Sequence, residues 1–293
     1  RLMYSVYNSN YIYNDDALIS ANNENYDYDK SGNVIKVSKN NVVYNYMYDN
    51  DNNLLKIVEE DGELVAEYGY DPFGQRLFKR TNTEVVYYHY SNDGLSGEYD
   101  SNGKVIKHYG FFPGRGWMVE PLFQLINDDV FFYHNDITGY PEAMTDISGK
   151  MVWSASHSTF GEISITKSDI ENNLRFSGQY YDKETGLFYN RYRIYDPSLG
   201  RYYQRDKLNL VGSFNSYTYS QLNPLVNIDP LGLFCTKLFS LVTPWKETYR
   251  GRIRRNVHMY FMDLAGAIGL CVHTLSQNIY EERFKTPSYK CRE

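Results

Sequence analysis

Cysteine is nearly missing from this chain: three among 293 residues, Cys235, Cys271 and Cys291, none before position 235. The main body therefore has no disulfide framework, and the C-terminal segment has material for at most one bridge. No apolar run reaches the ~18 to 20 residues that a membrane-spanning helix needs, and the opening stretch RLMYSVYNSN has no signal-peptide pattern. HExxH and CxxC spacings, which would announce zinc, are also missing. These absences, with 42% hydrophobic residues, exclude a disulfide scaffold, a helical membrane protein and a disordered chain.

Aromatic residues are plentiful. The 31 Tyr and 15 Phe, set among many Asn and Asp, describe aromatic strands joined by turns rather than Ala/Leu-rich helices. A mainly β fold is expected, in one large or two small domains. The chain opens without Met in a strand-like pattern, so a fragment of something longer is expected, with any targeting signal upstream.

Charge is unevenly divided. Lys and Arg number 30 against 36 acids, a net of −6, yet residues 234–293 carry a net of +5 and the first 233 residues −11. An acidic body followed by a basic tail suggests two parts with different tasks, the tail being the part suited to a polyanion.

Four related segments run through the first part: YDKSGNVIKV from Tyr28, YDNDNNLLKI from Tyr48, YDPFGQRLFK from Tyr70 and YDSNGKVIKH from Tyr99, spaced by 20, 22 and 29 residues. Each reads as a hairpin. Asp with Gly, Asn or Pro supplies the turn, and the apolar–basic alternation that follows supplies a strand with one buried face, as in Val34, Ile35 and Val37. The Tyr enters the turn, placed to stack on its equivalent in the next hairpin. Units of this kind cannot bury a face alone, so they are expected to stack into a curling sheet, a solenoid or shell.

The Tyr-Asp-x-x-Gly units resemble the YD repeats of the Rhs family, which includes bacterial polymorphic toxins and the C components of insecticidal toxin complexes; animal teneurins share the repeat. The stretch YHNDITGYPEAMTDISGKMVWSASHSTFGE from Tyr133 is similar to the family's block ahead of its core. LRFSGQYYDKETGLFYNRYRIYDPSLGRYYQRD, Leu174 to Asp206, is similar to the core signature, and NPLVNIDPLGL, Asn223 to Leu233, to the motif that closes it. The resemblance implies an antiparallel YD-repeat shell over residues 1–132, an RHS core over 133–233, and a variable basic effector, partly helical, over 234–293.

Two carboxylates held close together cannot both ionise comfortably, which leaves one acid and one base. Asp206 and Asp229 stand 23 positions apart at the ends of aromatic segments. The resemblance implies that they form an aspartyl dyad, needing no cofactor or metal, which cuts the chain after Leu233, at the bond to Phe234. Pro230 would stiffen the approach and Gly232 would let the backbone come close. Arg201 and Arg205 are candidates to orient or compensate an acid. The chain departs from the family at the first acid: Asp206 is followed by Lys207, Leu208, Asn209 and Leu210, not by Pro-x-Gly-Leu. A Lys207 ammonium beside Asp206 would favour its ionised form and leave Asp229 as the protonated partner. On its own residues, Asp-Pro-Leu-Gly is equally a turn, as Asp196-Pro197 is in YDPSLG.

The stretch from Arg254 to Ile279 reads as helical, and Arg250, Arg252, Arg254 and Arg255 precede or open it. They suit phosphates, as in a nucleic-acid target, or the acidic wall of the shell; an interfacial membrane segment is another reading of Met259 to Leu270. His258, Asp263 and His273 are the tail's acid–base or metal candidates. By resemblance, the partners would be the enclosed tail, a cognate immunity protein, and a secretion machine or toxin complex that delivers the protein from outside into a target cell. The rival reading is a non-enzymatic surface protein whose Tyr-rich sheet binds carbohydrate or partner proteins.

Overall fold

The computed structural model of the chain describes residues 11–21, 23–207, 215–233 and 235–237. Sixteen strands follow one another in a single antiparallel meander. They are β1 (Ile12–Asn14), β2 (Ala17–Ala21), β3 (Glu24–Tyr28), β4 (Val34–Lys39), β5 (Val42–Tyr48), β6 (Leu54–Glu59), β7 (Leu64–Tyr70) and β8 (Arg76–Arg80). The series continues with β9 (Val85–Ser91), β10 (Gly94–Tyr99), β11 (Val105–Phe111), β12 (Pro121–Ile126), β13 (Asp129–Asn135), β14 (Pro141–Thr145), β15 (Met151–His157) and β16 (Ile163–Ser168). A smaller meander of β17 (Tyr180–Asp182), β18 (Leu187–Asn190), β19 (Arg193–Asp196) and β20 (Arg201–Tyr202) forms the core sheet. Finally β21 (Asn227–Ile228) pairs with β22 (Thr236–Lys237). The mainly β expectation holds; the helical reading of the tail lies outside the described residues. The division placed between residues 132 and 133 falls within β13, and the large sheet runs on to Ser168.

Each repeat turn is built by its aspartate. In the first, the Gly32 N–H donates to the Asp29 carbonyl at 3.1 Å and the Asn33 N–H to Asp29 Oδ1 at 2.9 Å. Asp49, Asp71, Asp100 and Asp146 repeat both bonds with the residues three and four positions on. The side chain thus satisfies a donor that the tight turn would strand. The tyrosines do something other than stack on each other. The hydroxyls of Tyr28, Tyr48 and Tyr70 each donate at 2.9 Å to a carbonyl one hairpin back, those of Leu18, Val34 and Leu54. Their rings turn to the core instead, Tyr28 against Tyr217 and Tyr70 against Tyr189. A hydroxyl on a buried ring needs a partner, and a carbonyl at the start of the neighbouring strand supplies it.

In a meander, successive turns alternate between two rims. The turns at Asp29, Asp49 and Asp71 share one rim, whereas the turn at Asp100 follows β10 and lies on the other. That change of rim is what the longer 29-residue spacing encodes. The core docks on the first rim. A Cβ on Gly32 would strike Arg205, one on Gly74 would strike Tyr192 and one on Gly161 would strike Phe176, while Gly62, Gly103 and Gly149 on the second rim face open space. Bonds follow the same line: Tyr217 Oη to the Gly32 carbonyl at 2.9 Å, Tyr192 Oη to Phe73 at 3.0 Å, and Ser177 Oγ to Thr138 at 2.8 Å. A core segment touching turns from so much of the meander requires the large sheet to curl around it.

The inner face of that curl is the main core. Leu18, Leu54, Ile57, Leu95 and Met144 are fully buried, each worth about 1.5–3 kcal/mol of burial. Tyr26 and Tyr46 meet Tyr203 edge-on, and Tyr88 meets Tyr180. The expectation that the basic members of the alternation face solvent is corrected in the third and fourth repeats. Arg76, Lys79 and Lys107 are buried. They pair with acids that come from beyond the large sheet: Arg76 Nη1 with Asp182 at 2.8 Å, Lys79 with Glu184 at 3.0 Å, and Lys107 with Glu171 at 2.6 Å. Such cations are tolerated inside because their counter-ions arrive with the core.

A pile of rings joins the last strands to the core: Tyr140 on His157 at 4.5 Å between centroids and Phe176 on Tyr219 at 5.8 Å, with His157 also against Phe176. Both ring nitrogens of His157 are buried without a hydrogen-bond partner. Burial, and then the Arg175 charge, pull its pKa down to about 4. A histidine kept neutral by the fold contributes fully above its ordinary pKa, and that contribution is lost as pH falls through 6.5 towards 4. Denaturant unfolding between pH 7 and pH 4 should therefore lose on the order of 2–3 kcal/mol through this residue. In His157→Phe that part of the pH dependence should disappear; an unchanged slope would refute it.

Candidate functional site

The site grows from the last Asp-x-x-Gly turn among the described residues. After β21, the Gly232 N–H donates to the Asp229 carbonyl at 3.3 Å and the Leu233 N–H to Asp229 Oδ1 at 3.0 Å, the same two bonds as in the repeats. What differs is the second carboxylate oxygen. In the first repeat, Asp29 Oδ2 takes the side-chain amide of Asn33. In Asp229, Oδ2 accepts from Arg193 Nη2 at 3.0 Å and from Tyr202 Oη at 2.8 Å, and the residue is only 1% exposed. A turn aspartate has been turned inward onto a buried cation and a phenol.

The hairpin linking β18 to β19 clamps this turn. Asn190 Nδ2 donates to the Asp229 carbonyl at 2.9 Å and to Tyr202 Oη at 2.8 Å; Arg193 Nε donates to the Gly232 carbonyl at 2.5 Å. Gly232 has φ +65°, and a Cβ there would lie 2.4 Å from the Asn190 carbonyl oxygen, so both conformation and closeness call for glycine. Pro230 is equally confined, since a Cβ on Gly178 would sit 2.0 Å from its carbonyl oxygen. Arg193 also lies over the Tyr202 ring, 3.6 Å from its centroid.

Arg193 brings the two acids together. Its Nη2 lies 3.0 Å from Asp229 Oδ2 and 3.7 Å from Asp206 Oδ2, and the Asp206 backbone is tied to Ser216. Burial raises the Asp229 carboxyl above the usual carboxylate range. Arg193, the Tyr202 hydroxyl and the Leu233 N–H oppose that, and the nearby Asp206 charge adds to it. Lys207 does not serve Asp206 as the sequence suggested: its ammonium donates to Asn53 Oδ1 at 3.0 Å and feels Asp49 and Asp51, on the second repeat's turn.

Arg201 and Arg205 are placed elsewhere. Arg201 Nη2 donates to the Asp16 carbonyl at 2.7 Å, and Arg205 Nε to Tyr217 Oη at 3.2 Å beside Gly32. Both tie the core to the rim; the cation between the acids is Arg193, which sequence reasoning missed along with Tyr202 and Asn190. A buried acid demands a cation, but the segment NRYRIYDPSLGR offers Arg191, Arg193 and Arg201, and strand alternation alone does not choose among them. Leu233 is half-buried. Phe234, His258, Asp263, His273 and the arginines of the tail lie outside the described residues. Among the described residues, Glu59, Asp61 and Glu63 have carboxylate oxygens within 4.8 Å of one another, on the second rim and away from this site.

The family model described as RHS protein matches residues 130–165. The "Probable deoxyribonuclease RhsB" of Dickeya dadantii is 31% identical over 231 residues, which are 74% of this chain and 16% of the relative. The chain belongs to the RHS family. A further match, the "Double-stranded DNA deaminase toxin A" of Burkholderia cenocepacia, is 26% identical over 279 residues, 83% of this chain and 19% of that protein. The chain thus spans a fifth or less of these relatives. Among solved structures, the Photorhabdus luminescens Tc holotoxin pore, with a mutated TccC3, aligns at a TM-score of 0.53 and 15% identity over 76% of this chain and 13% of that one. That likeness is one of fold, consistent with a β-shell.

Proposed function

We propose that this RHS chain is the cargo-bearing end of a delivered toxin, and that its core cuts the bond between Leu233 and Phe234 to free residues 234–293. The observation that carries the reading is the Leu233 N–H held on Oδ1 of a buried carboxyl, with a second carboxylate on the same guanidinium. The carbonyl carbon of Leu233 lies two covalent bonds beyond that nitrogen. Asp229, raised by burial, holds the proton that activates the carbonyl; Asp206, half-buried, takes the proton of the attacking water. The water oxygen bonds to the Leu233 carbon as Asp229 protonates its oxygen. The carbon–nitrogen bond then breaks, the Phe234 nitrogen receives the proton held on Asp206, and Asp229 regains its own. Water is consumed, and a carboxyl on Leu233 and an amine on Phe234 result.

The names of the relatives carry activities on nucleic acids, and the basic tail has the charge such a target requires. Delivery from outside the producing cell, an immunity protein against the tail and assembly with a toxin complex complete the reading. A time course of the purified chain at several pH values tests the cut. The expected result is first-order conversion to two fragments, with a half-time unchanged on tenfold dilution. Intact chain throughout, or a rate that scales with concentration, would overturn it.

A further inference from the structure

We propose that Tyr202 is a positioning residue for this self-cleavage, selecting which oxygen of Asp229 carries the reactive proton; the inference rests on the reading above. An ionised carboxylate oxygen has two lone-pair sites. On Oδ2 both are engaged, one by Arg193 Nη2 at 3.0 Å and the other by Tyr202 Oη at 2.8 Å. The proton that Asp229 gains is thereby directed to Oδ1, the oxygen beside the Leu233 amide.

Tyr202 is itself fixed. Asn190 Nδ2 donates to its oxygen at 2.8 Å, which turns the phenolic hydrogen towards Asp229, and Arg193 covers its ring. Asn190, Tyr202 and Asp229 are all buried, so water does not substitute for the hydroxyl at little cost. Asp206, Arg193, Tyr202 and Tyr219 are among the titratable or charged groups that interact with Asp229. Cys235 also interacts electrostatically with Tyr219.

Tyr202→Phe keeps the ring beneath Arg193 and removes only the hydroxyl. Cleavage should slow by about 10- to 100-fold, the range for one hydrogen bond to a charged group. Because that bond favours the ionised form, its loss lets Asp229 keep its proton to higher pH. The alkaline limb of the pH–rate profile should move upward by about half a unit or more. A purely structural role would lower yield or stability and leave the limb in place. Carbon-13 titration of the Asp229 carboxyl in wild type and Tyr202→Phe reads the same bond without any cleavage. If wild type does not cut, the proposed function falls, and the titration alone judges Tyr202. If wild type cuts and neither the limb nor the titration moves in Tyr202→Phe, the inference is overturned.

Discussion

Asp229→Asn leaves the chain whole: the rate of self-cleavage should fall by at least about 10³-fold, within the range for removal of an acid–base group. The substitution keeps the shape of the side chain, and its carbonyl oxygen can still accept from the turn, so the fold should survive. Stability supplies a second reading with a definite sign. Burial raises the Asp229 carboxyl above its unfolded value. Its contribution is therefore fully present below the unfolded pKa and is lost as pH rises through the folded one. Asparagine never ionises and leaves Arg193 without this counter-ion at every pH, so the test is the pH-dependent part: the stability of wild type relative to the variant should fall between pH 3 and pH 7. Paired urea titrations at the two pH values measure this. A variant that still cuts at the wild-type rate would remove Asp229 from the chemistry.

Arg76→Met should cost about 3–5 kcal/mol of unfolding free energy, because it strands Asp182 as an under-compensated buried charge. Arg76 is 1% exposed, and its Nη1 reaches both Asp182 oxygens at 2.8 Å. Its guanidinium lies between the rings of Tyr68 and Tyr189, 4.2 and 4.0 Å from their centroids. Lys79 stays 3.3 Å from Asp182 but is shared with Glu184. Adding Asp182→Asn to the variant should recover part of the loss, since the stranded charge goes with it. Arg76 belongs to the large sheet and Asp182 to the core, so the pair is a bolt between them. A loss under about 1 kcal/mol would place it with exposed ion pairs.

The fold was legible because its rule is local. Tyr-Asp with a following glycine specifies the turn through the bonds made by Asp29, Asp49, Asp71 and Asp100, and the alternation after it specifies the strand. The change of rim at Asp100 was visible only as a longer spacing, whose meaning emerges once the strands between the copies are counted. The inward basic residues were not legible. Lys107 and Arg76 read as solvent-facing until Glu171 and Asp182 arrive from other parts of the chain, and sequence periodicity carries no information about a partner 106 positions away. The same holds for the candidate site. Asp229 stood out by its motif, but Arg193 and Tyr202 look like neighbouring members of an aromatic–basic strand run. Only the fold of β18 to β20 shows that both aim at one carboxylate, while Arg201 and Arg205 point to the rim.

N-terminal sequencing of the smaller fragment is the most direct measurement of where the chain is cut. The account predicts Phe-Cys-Thr, beginning at residue 234, and none of this fragment from Asp229→Asn. A fragment beginning Pro-Leu-Gly would instead report acid scission of the Asp229–Pro230 bond, which owes nothing to the buried pair. That product, or no fragment at all, would contradict the account.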